Sequence, residues 1–304
     1  MEYPSFIHLK WNSVKDWKVI FTNNVLFNCD KYITTIHLRK LNKDLNVYGD
    51  ITRNCCNIIN KNVSNKHFKS VSFLKSNIQK AVRLGKIDVA LVSSFNLIEI
   101  NFIAFIRRLI TISIEDVGIP STLPFLVWIM MAYPNIEVTN EIIQLLLLTV
   151  YTICKHKIKH IPDTQLSELE YSKYNYNDPI INSLLIASEY GGFKGDVALF
   201  NRFINSKKRT IIPVKYKNIV LTRTIKACDI IPSAVDFHCY PNIINQISEN
   251  IDLDENTIKS LIWKNSSSIN YRVSHKITDK RKWKVIKDIF DKIQKDIINK
   301  LYIY

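Results

Sequence analysis

Residues 76–91 read S-N-I-Q-K-A-V-R-L-G-K-I-D-V-A-L, and residues 105–118 read F-I-R-R-L-I-T-I-S-I-E-D-V-G. Around the first string, Phe73, Ile78, Ala81 and Val82 recur at the spacing of one helix face. Residues 87–95 form a second short helical pattern, with Asp88 near its start, where a carboxylate suits the helix dipole. Residues 103–114 form a third, and Gly118 follows as a stop. Residues 120–133 and 140–153 complete the set, with Thr139 or Asn140 placed to cap the last helix. The connections are short, which predicts a compact bundle. The fold class that follows is mainly α: a helical bundle core with a small number of peripheral strands.

Outward from this stretch the pattern weakens. Residues 1–70 read as an irregular or mixed segment, with partial strand-like alternation over 18–26 and 33–41 and a polar loop over 42–65. Residues 154–177 are polar and charged, as in a linker. Beyond them, 180–189 and 197–204 read as helices, and 210–221 as strands. Residues 282–304 read as a basic amphipathic helix whose stripe is Ile286, Ile289, Phe290, Ile293, Ile297 and Leu301. The chain thus divides into 1–70, a helical module over 71–153, and a basic helical C-terminal region over 178–304.

Composition sets limits. The 304 residues include 42 Lys and Arg against 27 Asp and Glu, a net charge of +15, and 47% are hydrophobic, as in a folded protein. Only six glycines occur, and none are spaced as a Walker A loop or a G-x-G-x-x-G fingerprint. That speaks against ATP-driven and NAD-dependent enzymes. Six cysteines without a CxxC pair exclude a zinc ribbon. The N-terminal sequence lacks the pattern of a secretory leader, so the expectation is reduced thiols and an intracellular site: cytoplasm, nucleus or a viral compartment. The apolar stretch 97–153 is cut by Arg107-Arg108, Glu115-Asp116 and three prolines, so buried helices are expected and no membrane span. Heavy use of Ile, Asn and Lys points to an AT-rich genome, which raises lysine content for reasons unrelated to function.

The two opening strings resemble the C-terminal helical region of the replication-associated recombination protein A family of AAA+ ATPases, relatives of the clamp loaders. The matching positions are Gln79, Lys80, Arg83, Asp88, Ala90, Leu91, Arg107, Arg108, Leu109, Glu115, Asp116, Val117 and Gly118. The likeness covers about residues 74–118, and the family's ATPase domain has no counterpart here. It implies a helical module with an assembly role, without ATP hydrolysis. The same residues also read as a salt-bridged helical hairpin.

Other motifs carry chemistry. Half of the glycines fall in Gly191-Gly192-Phe193-Lys194-Gly195, a turn that can cradle an anion beside Lys194, or simply join two helices with Asp196 as N-cap. The run from Ile231 to Pro241 holds Asp236, His238 and Cys239, where Asp236 and His238 would share a face of a strand and serve as metal ligands or acid–base groups, or fix a buried turn. His156 and His160 have i, i+4 spacing amid lysines, which fits a solvated basic stretch better than a metal site. From Ile262 to Arg272, Ser hydroxyls and Arg272 suit phosphate oxygens, and Trp263 or Tyr271 can stack on a base; a helix-capping loop is the plainer reading.

The positive charge is not evenly spread. Residues 201–227 carry eight Lys or Arg and no acid, and 272–300 carry ten against four acids. Interleaved with Tyr216, Trp263, Tyr271 and Trp283, this is the footprint of a polyanion surface. The expected contacts are Lys207, Lys208, Arg209, Lys215, Lys217, Arg223, Arg272, Lys280, Arg281 and Lys282, with Lys194 and Arg272 suited to phosphate. The leading expectation is a non-ATPase nucleic-acid-binding accessory or assembly factor in DNA replication, recombination or repair, with DNA as partner and self-association into a homo-oligomer. One rival is a metal-dependent nucleic-acid-processing enzyme using Asp196, Asp236 and His238, the only reading that calls for a divalent metal cofactor. The other is a structural or assembly protein of a virus with an AT-rich genome.

Overall fold

A computed structural model describes residues 3–24, 31–51, 70–156, 176–190, 194–206, 209–220, 225–269 and 276–301. Among them the architecture is mainly α, with one four-stranded sheet. Residues Lys207, Lys208, Arg223, Arg272 and the glycines at 191 and 192 lie outside the described residues, as does the side chain of Lys194. The chain forms two compact units, each discontinuous in sequence. The first draws on 1–60, 106–153 and 160–219, and the second on 61–105, 154–159 and 220–304.

In the first unit, strands β1 (Phe6–Ser13), β2 (Asp16–Thr22), β3 (Lys31–Leu38) and β4 (Lys43–Gly49) lie in the order β2-β1-β4-β3. β1 and β4 are parallel, and the other pairs are antiparallel. Residues 42–65 were expected to be a loop or irregular segment, yet β4 runs through 43–49: Leu45, Val47 and Gly49 are buried in alternation with Asp44, Asn46 and Tyr48, the period of a half-buried strand. That apolar face meets helix α4 (Leu123–Ala132), whose ten residues are all buried, as befits a helix that is hydrophobic all round. Trp128 donates its indole N–H to the Tyr48 carbonyl at 2.9 Å, and Trp11 and Trp17 each reach the Phe125 ring at 5.4 Å.

Helix α1 (Val71–Leu84) and helix α2 (Ile87–Ile100) form a hairpin in the second unit. Ser70 caps α1 by accepting from the Phe73 amide at 3.3 Å. Gly85 ends it at φ 69°, a left-handed conformation that glycine adopts without steric penalty. α2 extends five residues past the expected end at 95, because Leu97 and Ile98 continue its buried face. Helix α3 (Phe102–Asp116) stops before Gly118, as expected. Thr139 caps α5 (Asn140–Lys155) through its hydroxyl, which accepts from the Ile142 amide.

The first unit also holds α6 (Pro179–Tyr190), α7 (Lys194–Asn205) and a two-stranded ladder of β5 (Ile119–Pro120) and β6 (Ile211–Ile212). Among the described residues of 210–221, strand structure is confined to that short β6. In the second unit α8 (Asn242–Ser248), α9 (Glu255–Ser266) and α10 (Lys280–Lys300) enclose a core of Ile243, Ile247, Ile258, Leu261, Trp283, Ile286 and Phe290. No helix among the described residues is long and apolar enough to cross a membrane.

Candidate nucleic-acid interface

The acid-free run contains an extended strap that is tied down at both ends. At its start, the Ser121 amide donates to the Ile212 carbonyl and the Ser121 hydroxyl accepts from the Val214 amide, at 2.8 and 2.9 Å. At its end, the Gln144 side chain accepts from the Ile219 amide at 3.1 Å and donates to its carbonyl. Between these anchors Lys215, Tyr216, Lys217 and Asn218 are exposed. Pro213 opens the exposed part with a fixed φ and no amide donor.

Two cation–π contacts orient the strap's charges. The Lys15 ammonium, at the β1–β2 turn, lies 4.3 Å from the centre of the Tyr216 ring. Lys217 lies 4.5 Å from the centre of the Tyr151 ring on α5 and donates to its hydroxyl at 3.3 Å. Such contacts contribute about 0.5–1 kcal/mol each at exposed sites and leave the ammonium groups facing water. Three elements thus bring three lysines and two tyrosines together. Lys215 and Lys217 were expected from sequence. Lys15 and Tyr151 were not, since nothing in their local sequence announces the contact.

Arg209, expected among the phosphate contacts, has all three guanidinium nitrogens engaged. It donates to the Phe203 and Ile204 carbonyls at 2.8 Å each and to the Asp178 carboxylate at 3.3 Å. Those carbonyls belong to the last turn of α7, so this arginine closes the helix C-terminus. Asp196 does not cap α7. It lies in the first turn, where its charge complements the dipole.

On the second unit, Lys280, Arg281 and Lys282 open α10 and are exposed. Lys282 pairs with Asp279 at 3.7 Å, on the surface. No acid occupies the first turn, so three cations sit where the helix dipole disfavours them. The Thr278 amide donates to the buried Asn265 side chain at 2.8 Å, and Asn265 donates back to the Thr278 carbonyl at 3.2 Å. This reciprocal pair fastens the cationic start of α10 to the C-terminal end of α9, which carries exposed Trp263 and Lys264.

The Asp236–His238 pair lies in a turn, not on a strand, and its members have different surroundings. Asp236 is buried, 3.5 Å from the ammonium of Lys80, itself 4% exposed. Its other oxygen accepts from the His238 amide at 3.0 Å. Lys80 and Arg83 on α1 both donate to the Ser267 carbonyl at the C-terminal end of α9, at 3.1 and 2.9 Å. His238 faces solvent, with Phe237 4.0 Å away on one side and Trp263 edge-on at 5.8 Å. Among the described residues no three His, Cys, Asp or Glu side chains gather as a metal ion would require. Asp196 belongs to the first unit, and Asp236 and His238 to the second.

The residues of the 76–91 and 105–118 strings divide by burial. Ala90, Leu91, Leu109, Asp116 and Val117 are buried with Lys80 and Arg83, while Arg107 is exposed. Its guanidinium lies 5.8 Å from the Tyr190 ring centre. Burial pushes the Tyr190 hydroxyl up to about 12, against the opposing pull of Arg107. No protein-family model, curated protein or solved structure matches the chain.

Proposed function

We propose that this chain is a non-ATPase, nucleic-acid-binding accessory or assembly factor acting in DNA replication, recombination or repair. The observation that carries the reading is the anchored strap, which holds Lys215 and Lys217 exposed beside Lys15. Cations fixed at their backbone and oriented by tyrosine rings suit a row of phosphates, and they lose little freedom on binding. The cationic start of α10 offers a second surface of the same sign. The reading takes the helices as a bundle-type scaffold. The likeness of residues 74–118 to the AAA+ C-terminal region supports an assembly role through self-association.

Photocross-linking tests the strap. A bromouracil-substituted DNA strand irradiated with the full chain should give an adduct in the peptide carrying Tyr216. Adducts that avoid residues 209–220 altogether would remove the strap from the interface.

A further inference from the structure

We propose that Trp263, braced by His238, is a stacking platform for a nucleobase, so that the preferred ligand is single-stranded nucleic acid. The inference rests on the polyanion reading above but on a separate set of residues. Trp263 is 40% exposed, whereas the other four tryptophans, all among the described residues, are buried or half-buried. Trp263 lies off the packed face of α9, which is Ile258, Leu261 and Ile262, and two fifths of its surface is open to water. Its ring is nonetheless held in place. His238 meets it at an interplanar angle of 89°, and Phe237 lies against His238.

The brace has a foundation. The His238 amide is tied to Asp236, Asp236 is anchored by buried Lys80, and Lys80 also holds the Ser267 carbonyl just beyond α9. The same lysine therefore fixes both the turn that carries His238 and the helix that carries Trp263. A rigid, exposed aromatic face is what base stacking uses, because little entropy is lost when the base arrives. The chemistry beside it fits a sugar–phosphate chain. Lys264 follows Trp263 directly, and the Asn265–Thr278 pair keeps Lys280 to Lys282 at the same end of α9. Bases in a duplex are stacked on one another and cannot lie on the indole, so the platform selects unpaired strands.

The test compares three fluorescein-labelled ligands with the full chain: oligothymidine, an abasic strand of equal length and charge, and a duplex of equal length. Oligothymidine should bind at least about fivefold tighter than the abasic strand. Trp263→Ala should abolish that difference while leaving abasic binding unchanged, and Trp263→Phe should restore most of it. Equal affinity of the wild type for the two strands, or equal weakening of both by Trp263→Ala, overturns the stacking platform while the phosphate reading stands. If no ligand binds at low salt, the phosphate reading itself fails and this inference falls with it.

Discussion

Neutralising the strap should change the salt dependence of binding more tellingly than the affinity at any one salt. The perturbation is the triple substitution Lys15→Gln, Lys217→Gln and Lys215→Gln. Lys15, Lys215 and Lys217 are exposed and pair with no carboxylate among the described residues, so each can displace a counterion from one phosphate. For a single strand each phosphate contact contributes about 0.7 to the slope of log K against log salt, so losing three should flatten it by about 2.1. Between 50 and 200 mM salt, wild type should therefore lose about 20-fold more affinity than the variant. Fluorescence anisotropy with a labelled strand measures both slopes. The substitutions remove two surface cation–π contacts and the exposed Lys217–Tyr151 hydrogen bond, so stability should shift by no more than about 1–2 kcal/mol, and circular dichroism can verify the fold. An unchanged slope in a folded variant would refute the placement of phosphates along the strap.

Three predictions concern the framework. Lys80→Met leaves the Asp236 carboxylate buried and unpaired, so it should destabilise the protein by about 3–5 kcal/mol in urea unfolding; Lys80→Met with Asp236→Leu should recover part of that. Gly49→Ala would put a methyl 2.7 Å from the Trp128 ring. The overpacking should cost about 1–3 kcal/mol and alter Trp128 emission. Asp254 caps α9 by accepting from the Thr257 amide and hydroxyl, and these bonds hold its carboxyl below the usual range. A lowered folded pKa stabilises above the ordinary carboxylate value, so Asp254→Ala should lower Tm at neutral pH. That difference should close as pH falls through the lowered pKa.

Much of the helical framework is legible in sequence because its signals are local. Thr139 marks the start of α5 by the chemistry of its own side chain, and α4 declares its burial by having no polar face. β4 was missed because Lys43, Asp44 and Asn46 make its first half polar in composition, which hid the buried alternation of Leu45 and Val47. The candidate interface is less legible for a different reason. Charge density pointed to Lys215 and Lys217, but the Lys15 contact depends on a β-hairpin turn distant in sequence. Nothing in the local sequence announces the burial of Lys80. Only tertiary structure supplies Asp236 and the Ser267 carbonyl that make its burial tolerable. The acid-free run likewise misled at Arg209, whose acceptors are the carbonyls of the helix just before it.

The most direct measurement is the affinity of the unmodified full chain for a labelled DNA strand as salt is raised from 50 to 200 mM. Measurable binding at the low end is expected, with a linear fall of log K against log salt steep enough to reflect several phosphate contacts. No binding at 50 mM, or an affinity indifferent to salt, would contradict the phosphate reading.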